Sequence, residues 1–134
     1  TLNTPGIVGL GAGIQYVKFH RAQIQERETQ LTRFFLEELK KVKDVILYGA
    51  DDVSAPRIGV VSLNIGDLDS CEAACRLDQE FDICTRPGLH CAPLAHRTIG
   101  TLDRGTVRFS IGFETTEAEM IKTLDAIRQI ALHS

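Results

Sequence analysis

The segment that most constrains this chain covers residues 85–96, Thr-Arg-Pro-Gly-Leu-His-Cys-Ala-Pro-Leu-Ala-His, between two apolar runs. Proline fixes its own backbone angle and lacks an N–H donor, so the Pro87–Gly88 pair and Pro93 predict an irregular backbone from Pro87 to Pro93. The segment also holds two of the four histidines and one of the four cysteines of the chain. Because folded scaffolds often present functional groups on such loops, we expect the chemistry of this protein to reside here.

Hydrophobic periodicity predicts four helices and four strands around this loop. The predicted helices cover residues 4–17, 20–42, 69–80 and 116–131, and the predicted strands cover residues 45–49, 60–65, 81–85 and 106–111. Capping boxes are predicted at Asp69 with Glu72 and at Thr116 with Glu119. The order α-α-β-β-α-β-β-α predicts an α/β (α+β) domain in which helices cover one face of a small sheet.

Two further features could be mistaken for ligand sites. The three glycines of residues 9–13 do not have the Gly-x-Gly-x-x-Gly spacing of a nucleotide loop, and within a helix they favour close packing against another backbone. Asp51 and Asp52 lie in a predicted polar loop over residues 50–56 and are interpreted as turn residues rather than metal ligands. A second loop is predicted over residues 98–105.

Composition and charge argue against several classes of function. The 134 residues fit one domain that can bury a core without disulfides, and a net charge of −3 without a basic stripe argues against nucleic-acid binding. No apolar run resembles a membrane span or a secretory signal, so no membrane partner is predicted. Four cysteines in such a chain predict free thiols in the reducing cytoplasm. Because the sequence starts at Thr1 without methionine, we expect a fragment of a longer protein.

Three of the cysteines are predicted to be structural. Cys71 and Cys75 are four residues apart on one face of the third predicted helix, and Cys84 lies beside Ile83 in a predicted strand. Reduced cysteines behave as small hydrophobic side chains, so we expect all three in the core.

Cys91 has a different setting. It follows His90 on the loop, and Arg86 and His96 lie close in sequence. Neighbouring cations stabilise a thiolate, so these residue types allow either a nucleophile or a structural loop cysteine. The cysteines and histidines of residues 84–96 are suitable zinc ligands, but they lack a Cys-x-x-Cys pair, so neither a metal site nor a dithiol redox motif is predicted.

Arg108 is the second unusual residue, because it interrupts a strongly alternating apolar strand. If Val107, Phe109 and Ile111 face the core, then Arg108 and Ser110 face the other side of the sheet. There Arg108 is either a solvent-facing arginine or a guanidinium that binds a carboxylate with two hydrogen bonds.

Four stretches together carry a family resemblance: Arg-Pro-Gly-Leu-His-Cys-Ala at residues 86–92, Gly-Thr-Val-Arg-Phe-Ser at 105–110, Thr-Thr-Glu at 115–117 and Thr-Leu-Asn-Thr-Pro at 1–5. They are similar to the C-terminal part of the class V aminotransferases, and more closely to the cysteine desulfurases and selenocysteine lyases. The resemblance covers nearly the whole chain, and a cysteine loop followed by an arginine strand is fairly specific. The family binds pyridoxal phosphate through a lysine of a larger domain.

The resemblance implies a role for each candidate site residue. Cys91 is the nucleophile that forms a persulfide, and His90 assists proton transfer beside it. Arg108 binds the carboxylate of the substrate, and Arg86 helps to position the substrate near the cysteine. Thr1 contributes to the cofactor-phosphate site of the neighbouring subunit.

The resemblance also implies a missing part, because the lysine and the groups that flank the cofactor ring have no counterpart here. Residues 1–134 are therefore expected to be the small C-terminal domain of a fold-type I pyridoxal-phosphate enzyme, inactive on its own. The full-length protein is expected to be a homodimeric cysteine desulfurase that moves sulfur from L-cysteine to Cys91, releases alanine and supplies a sulfur-acceptor protein. A Leu89–His90 pair, where many relatives carry two histidines, leaves a class V aminotransferase or a selenocysteine lyase as alternatives. A stand-alone module that binds a partner or a metal is the alternative from another class.

Overall fold

The computed structural model describes residues 1–49 and 57–133. Its elements are helices α1 (Thr4–Leu39), α2 (Ser70–Phe81), α3 (Pro93–Ile99) and α4 (Glu117–Ala131), and strands β1 (Val45–Tyr48), β2 (Val60–Ile65) and β3 (Val107–Ser110). The strands form one antiparallel sheet in the order β1-β2-β3. The predicted polar loop with its two aspartates lies outside the described residues.

One face of this sheet forms the core, as the alternation of apolar residues predicts. Val61 and Leu63 of β2 and Val107 of β3 are at most 1% exposed. Helices α1, α2 and α4 pack over them, and Phe35 of α1 meets Phe109 of β3 edge-on, with 5.5 Å between ring centroids. The predicted α/β class, with helices over one face of a small sheet, is confirmed.

A single helix of 36 residues replaces the two helices predicted at the N-terminus. Asn3 starts it by accepting a hydrogen bond from the backbone N–H of Gly6 at 3.1 Å, and Pro5 occupies the first turn, where its missing donor does no harm. Within residues 1–49 and 57–133 an added Cβ at Gly9, Gly11 or Gly13 would meet nothing within 4 Å, so the predicted packing of these glycines against another backbone stays a prediction. Only the C-terminal part of α1 reaches the core.

The apolar residues of the first half of α1 are exposed: Ile7, Val8, Leu10, Ile14, Val17 and Phe19. This half therefore extends beyond the core that the second half helps to form. Even so, nowhere in residues 1–49 or 57–133 does a helix combine the length and the unbroken apolar character needed to cross a bilayer.

The strand predicted over residues 81–85 is also wrong. Helix α2 continues to Phe81 and ends at Asp82, whose left-handed backbone has a φ of 55°. Residues 82–92 form no regular strand, and within them Arg86 makes an isolated bridge to Arg108. Similarly, the predicted loop over residues 98–105 begins inside α3.

The two predicted capping boxes have different outcomes. Thr116 and Glu119 form a complete box at the start of α4. At α2 the side chain of Asp69 caps the helix by accepting from the backbone N–H of Cys71 at 2.7 Å, which is a simple cap rather than the predicted box with Glu72. Both starts are nevertheless where the sequence predicts them.

Candidate functional site

The cysteine loop is fixed to the outer edge of β3 by backbone hydrogen bonds. Arg86 and Arg108 exchange N–H···O bonds of 3.2 and 2.9 Å, and Gly88 and Thr106 exchange bonds of 3.1 and 3.2 Å. Residues 86–88 thus pair with this edge as an additional strand would, but they are too few to form a regular strand. The loop that follows starts from a backbone position set by the core strand β3.

Gly105 allows this close approach. A Cβ on Gly105 would lie 2.6 Å from the Cα of Gly88, and the φ of Gly105 is 63°, a conformation that side chains other than glycine rarely adopt. Any side chain at this position would therefore push the loop away from the strand.

Cys91 lies in a tight turn next to that strand. The backbone N–H of Ala92 donates to the carbonyl of Leu89 at 2.8 Å and closes the turn. Its two central residues, His90 and Cys91, have φ angles of 52° and 59°. Positive φ at both central positions is typical of a type I′ turn and costs about 1–3 kcal/mol for each non-glycine residue, so the surroundings must hold it. The turn presents the thiol of Cys91 at an exposed position.

A guanidinium group neighbours the thiol of Cys91. Nη2 of Arg86 donates to Sγ of Cys91 at 3.8 Å. Arginine keeps its charge at all physiological pH values, so this sulfur has a permanent positive neighbour. A thiolate nucleophile is found in this kind of environment.

His90 is oriented by the same arginine. Its Nε2 lies 2.8 Å from the carbonyl oxygen of Arg86. A carbonyl can only accept, so Nε2 carries the hydrogen, and in the neutral ring Nδ1 is the nitrogen that can take up a proton. The predicted neighbours Arg86, His90 and Cys91 are therefore brought together.

Arg108 lies on the sheet face that is not covered by helices, as the alternation of β3 predicts. It is half-buried between the buried Val107 and Phe109, and it pairs with Ser62 of β2. Its Nε is buried and has no hydrogen-bond partner within residues 1–49 and 57–133. An unpaired buried donor on an arginine needs an acceptor, and a ligand carboxylate would supply one.

The bridge between Arg86 and Arg108 brings two positively charged side chains together. Directly paired residues of neighbouring strands project from the same face of a sheet, so the two arginines share one face. Like charges placed opposite each other are unfavourable unless an anion lies between them. The arrangement therefore favours an anionic ligand beside the thiol of Cys91.

Thr1 is not part of this cluster. It is exposed ahead of α1, and within residues 1–49 and 57–133 no hydrogen bond or ion pair joins it to the cysteine loop. Its predicted contact with a neighbouring subunit's cofactor stays a prediction.

The three cysteines predicted in the core are all exposed. On α2 the buried stripe consists of Ser70, Ala73, Ala74 and Leu77. Cys71 and Cys75 are each one position, about 100°, around the helix from that stripe. The sequence therefore predicts the helical spacing of Cys71 and Cys75 correctly, but it assigns them to the wrong face of α2.

Cys84 is exposed because the strand predicted around it does not form. Its thiol donates to Oδ1 of Asp78 at 3.5 Å, and this hydrogen bond raises the pKa of Cys84 above its ordinary value. Within residues 1–49 and 57–133, no three cysteine, histidine or acidic side chains come together as a metal site would require.

The structure adds Thr101 to the surroundings of the loop. Its hydroxyl lies 2.8 Å from Nδ1 of His96, and both side chains are buried. His96 lies in the short helix α3 rather than in the loop, where the sequence placed it. A threonine five residues after a histidine carries no recognisable motif, so only the fold reveals this pair.

Comparison with known proteins gives a consistent result. The sequence model of the family described as aminotransferase class-V matches residues 1–123. A cysteine desulfurase of Pectobacterium carotovorum is 36% identical over 131 residues, which cover 96% of this chain and 30% of the relative. A cysteine desulfurase of Klebsiella pneumoniae is 43% identical over 99 residues, which cover 72% of this chain and 23% of the relative.

A solved structure shows the same fold. The apo structure of cysteine desulfurase from Thermococcus onnurineus matches this chain with a TM-score of 0.89 and 30% identity, covering 100% of this chain and 32% of that one. This chain thus spans about a third, or less, of the length of the proteins it matches.

Proposed function

This chain belongs to the class-V aminotransferase family, and on that premise we propose that it is the small C-terminal domain of a cysteine desulfurase dependent on pyridoxal phosphate. The observation that carries the proposal is the exposed thiol of Cys91, which lies 3.8 Å from the guanidinium of Arg86. The relatives, about three times as long, support a missing cofactor domain. The exposed apolar half of α1 supplies a surface for that domain.

The two arginines would bind the substrate. The guanidinium of Arg108, whose Nε has no partner, would bind the carboxylate of L-cysteine by donating hydrogen bonds to it. Arg86, opposite it on the same face, would hold the sulfur end of the substrate close to Cys91. Fixing the substrate at its carboxylate leaves its sulfur as the group that reaches the thiol.

Cys91 would then accept the sulfur. Its Sγ, as a thiolate, forms a bond to the substrate sulfur while the Cβ–S bond of the substrate breaks. The electron pair of the broken bond stays on the carbon, which ends protonated in alanine. The transferred sulfur remains on Cys91 as a persulfide, so no external oxidant or reductant is needed. The positive charge of Arg86 would stabilise the thiolate before this step and the persulfide anion after it.

His90 would serve as a proton acceptor in the same step. Its Nε2 is committed to the carbonyl of Arg86, which leaves Nδ1 to remove a proton from a thiol.

Pyridoxal phosphate, held through a lysine of the missing domain, would supply the electron sink that makes the C–S bond of the substrate breakable. The residues at the start of this chain would fit the phosphate group of this cofactor. Thr1 carries a hydroxyl ahead of a 36-residue helix, whose N-terminus is the positive end of its dipole and suits a phosphate. Contact with the neighbouring subunit's cofactor would make the full-length protein a homodimer.

The persulfide would be passed to a sulfur-acceptor protein, because the exposed position of Cys91 leaves it accessible to another thiol. Four free thiols agree with a reducing compartment such as the cytoplasm.

The test uses the full-length protein that contains this chain, loaded with its cofactor and given L-cysteine together with a thiol reductant that releases the persulfide sulfur as sulfide, with alanine and sulfide as readouts. Replacing Cys91→Ala should lower sulfide release by more than about a thousandfold, because the nucleophile is removed. Cys84→Ala is the matched control, since it removes another exposed thiol and should change nothing. Unchanged sulfide release in Cys91→Ala would contradict the assignment, and activity with selenocysteine or an amino-group acceptor alone would favour a lyase or an aminotransferase.

A further inference from the structure

His96 and Thr101 form a buried polar pair beneath the cysteine turn. They are 4% and 2% exposed, and Nδ1 of His96 lies 2.8 Å from the hydroxyl of Thr101. Neither side chain reaches the thiol, and neither has a part in the steps described above. A buried hydrogen-bonded pair of this kind fixes the geometry of whatever packs against it.

The ring of His90 packs against the ring of His96 in this pair. The ring centroids of His90 and His96 are 5.7 Å apart at an angle of 51°. The other edge of the His90 ring is held by the carbonyl of Arg86. His90 is therefore confined on two sides, and its backbone leads directly into Cys91.

Backbone bonds connect the pair to both ends of the site. The N–H of His96 donates to the carbonyl of Ala92 at 3.2 Å, just after the turn. The N–H of Gly105 donates to the carbonyl of Thr101 at 2.8 Å, and Gly105 is the residue that lies against Gly88. The pair thus connects Ala92, which follows the turn, with Gly105, which lies against Gly88 ahead of the turn.

The turn needs such support. His90 and Cys91 both have positive φ angles, which non-glycine residues keep only when their surroundings hold them. The single bond that closes the turn, from Ala92 to Leu89, does not fix the direction of either side chain.

We propose that His96 and Thr101 are a positioning pair for the nucleophile, which holds the ring of His90 and thereby aims the thiol of Cys91 at the substrate sulfur. This inference rests on the proposed function of Cys91. Binding of the substrate carboxylate is independent of the pair, because Arg108 is held by β2 and β3. Loss of the pair should therefore lower kcat and leave KM nearly unchanged.

The test compares Thr101→Val with Thr101→Ser in the cofactor-loaded full-length protein. Valine keeps the branched shape and removes the hydroxyl, whereas serine keeps the hydroxyl. A misplaced reacting group can lower a rate by up to about a hundredfold, and we expect Thr101→Val to lower kcat about tenfold with KM for cysteine within about twofold. Thr101→Ser should recover most of kcat.

A second readout does not depend on turnover. Iodoacetamide is added without substrate, and the rates of alkylation at Cys91 and Cys84 are compared in one sample by peptide mass spectrometry. In Thr101→Val the rate at Cys91 should fall because the thiol leaves Arg86, and the rate at Cys84 should stay the same. Equal kcat and equal Cys91 alkylation in Thr101→Val and the parent protein would overturn the inference.

If Thr101→Val does not fold, His96→Asn tests the positioning role of the pair instead. Asparagine can still reach the hydroxyl of Thr101, but it lacks the ring that meets His90, so kcat and Cys91 alkylation should again fall. Parental values in this variant would overturn the inference. Sulfide release that survives Cys91→Ala would instead overturn the proposed function, so the two failures are distinguishable.

Discussion

Cys84 and Cys91 are exposed thiols only seven residues apart, yet their surroundings are opposite in charge. The thiol of Cys84 donates to the carboxylate of Asp78, which raises the pKa of that thiol, whereas the sulfur of Cys91 accepts from the guanidinium of Arg86. A neighbouring carboxylate disfavours ionisation of a thiol, whereas reactive cysteines are found in electropositive, exposed surroundings. The charge of the neighbour, rather than exposure, thus separates the candidate nucleophile from a spectator.

The strongest way to break this contrast is to give Cys91 the kind of neighbour that Cys84 has. Arg86→Glu replaces the cation with a carboxylate, and because Arg86 would also face the proposed substrate, we expect kcat/KM for cysteine in the full-length protein to fall by about a hundredfold. The substrate-free alkylation rate at Cys91 should fall towards that of Cys84. Arg86→Lys keeps a positive charge and serves as the control; equal losses in both variants would show that charge is not the cause.

A smaller effect should come from disturbing the backbone that places Cys91 beside Arg86. Gly105→Ala puts a Cβ 2.6 Å from the Cα of Gly88 at a left-handed backbone position. We expect the free energy of unfolding to fall by about 1–3 kcal/mol, measured by denaturant titration. Alkylation should slow at Cys91 but not at Cys84. Gly112→Ala is the control, because an added Cβ there meets nothing within 4 Å.

The mildest change concerns Cys84. Asp78→Asn removes the carboxylate whose hydrogen bond and charge raise the pKa of the Cys84 thiol. Removing a cause that raises the pKa lowers it, so the pH at which Cys84 becomes reactive towards iodoacetamide should move down. The rate of alkylation at Cys91, measured at one fixed pH, should not change. An unshifted Cys84 profile would show that Asp78 does not control this thiol.

The sequence predicts the class of the fold because the apolar alternation of β2 and β3 is strong. It also predicts the faces of β3 correctly, with Val107 and Phe109 in the core and Arg108 opposite. The start of α4 is predicted as well, since the Thr116–Glu119 box is a local pattern that needs no tertiary contact. Each of these features depends either on residues that are close in sequence or on a regular spacing of apolar residues.

The errors have a common physical origin, which is dependence on distant partners. Residues 81–85 alternate like a strand, but α2 extends to Phe81, and only Arg86 finds a partner on β3. Cys71 and Cys75 have helical spacing, but spacing does not say which side of α2 meets the sheet. A local pattern does not show which face of a helix is buried or which strand a segment pairs with.

The candidate site follows the same division. Cys91, His90 and Arg86 are neighbours in sequence, so their contact was foreseeable. The face shared by Arg86 and Arg108 depends on a bridge between residues 22 positions apart, which no local pattern predicts.

The direct test of the central claim is to find the sulfur after reaction. Full-length protein with its cofactor is incubated briefly with L-cysteine, trapped with an alkylating agent and digested, and the peptides of Cys91 and Cys84 are compared by mass spectrometry. The charge contrast predicts one additional sulfur on the Cys91 peptide and none on the Cys84 peptide. Additional sulfur on Cys84, or on neither peptide while alanine is formed, would contradict the assignment of Cys91 as the sulfur carrier.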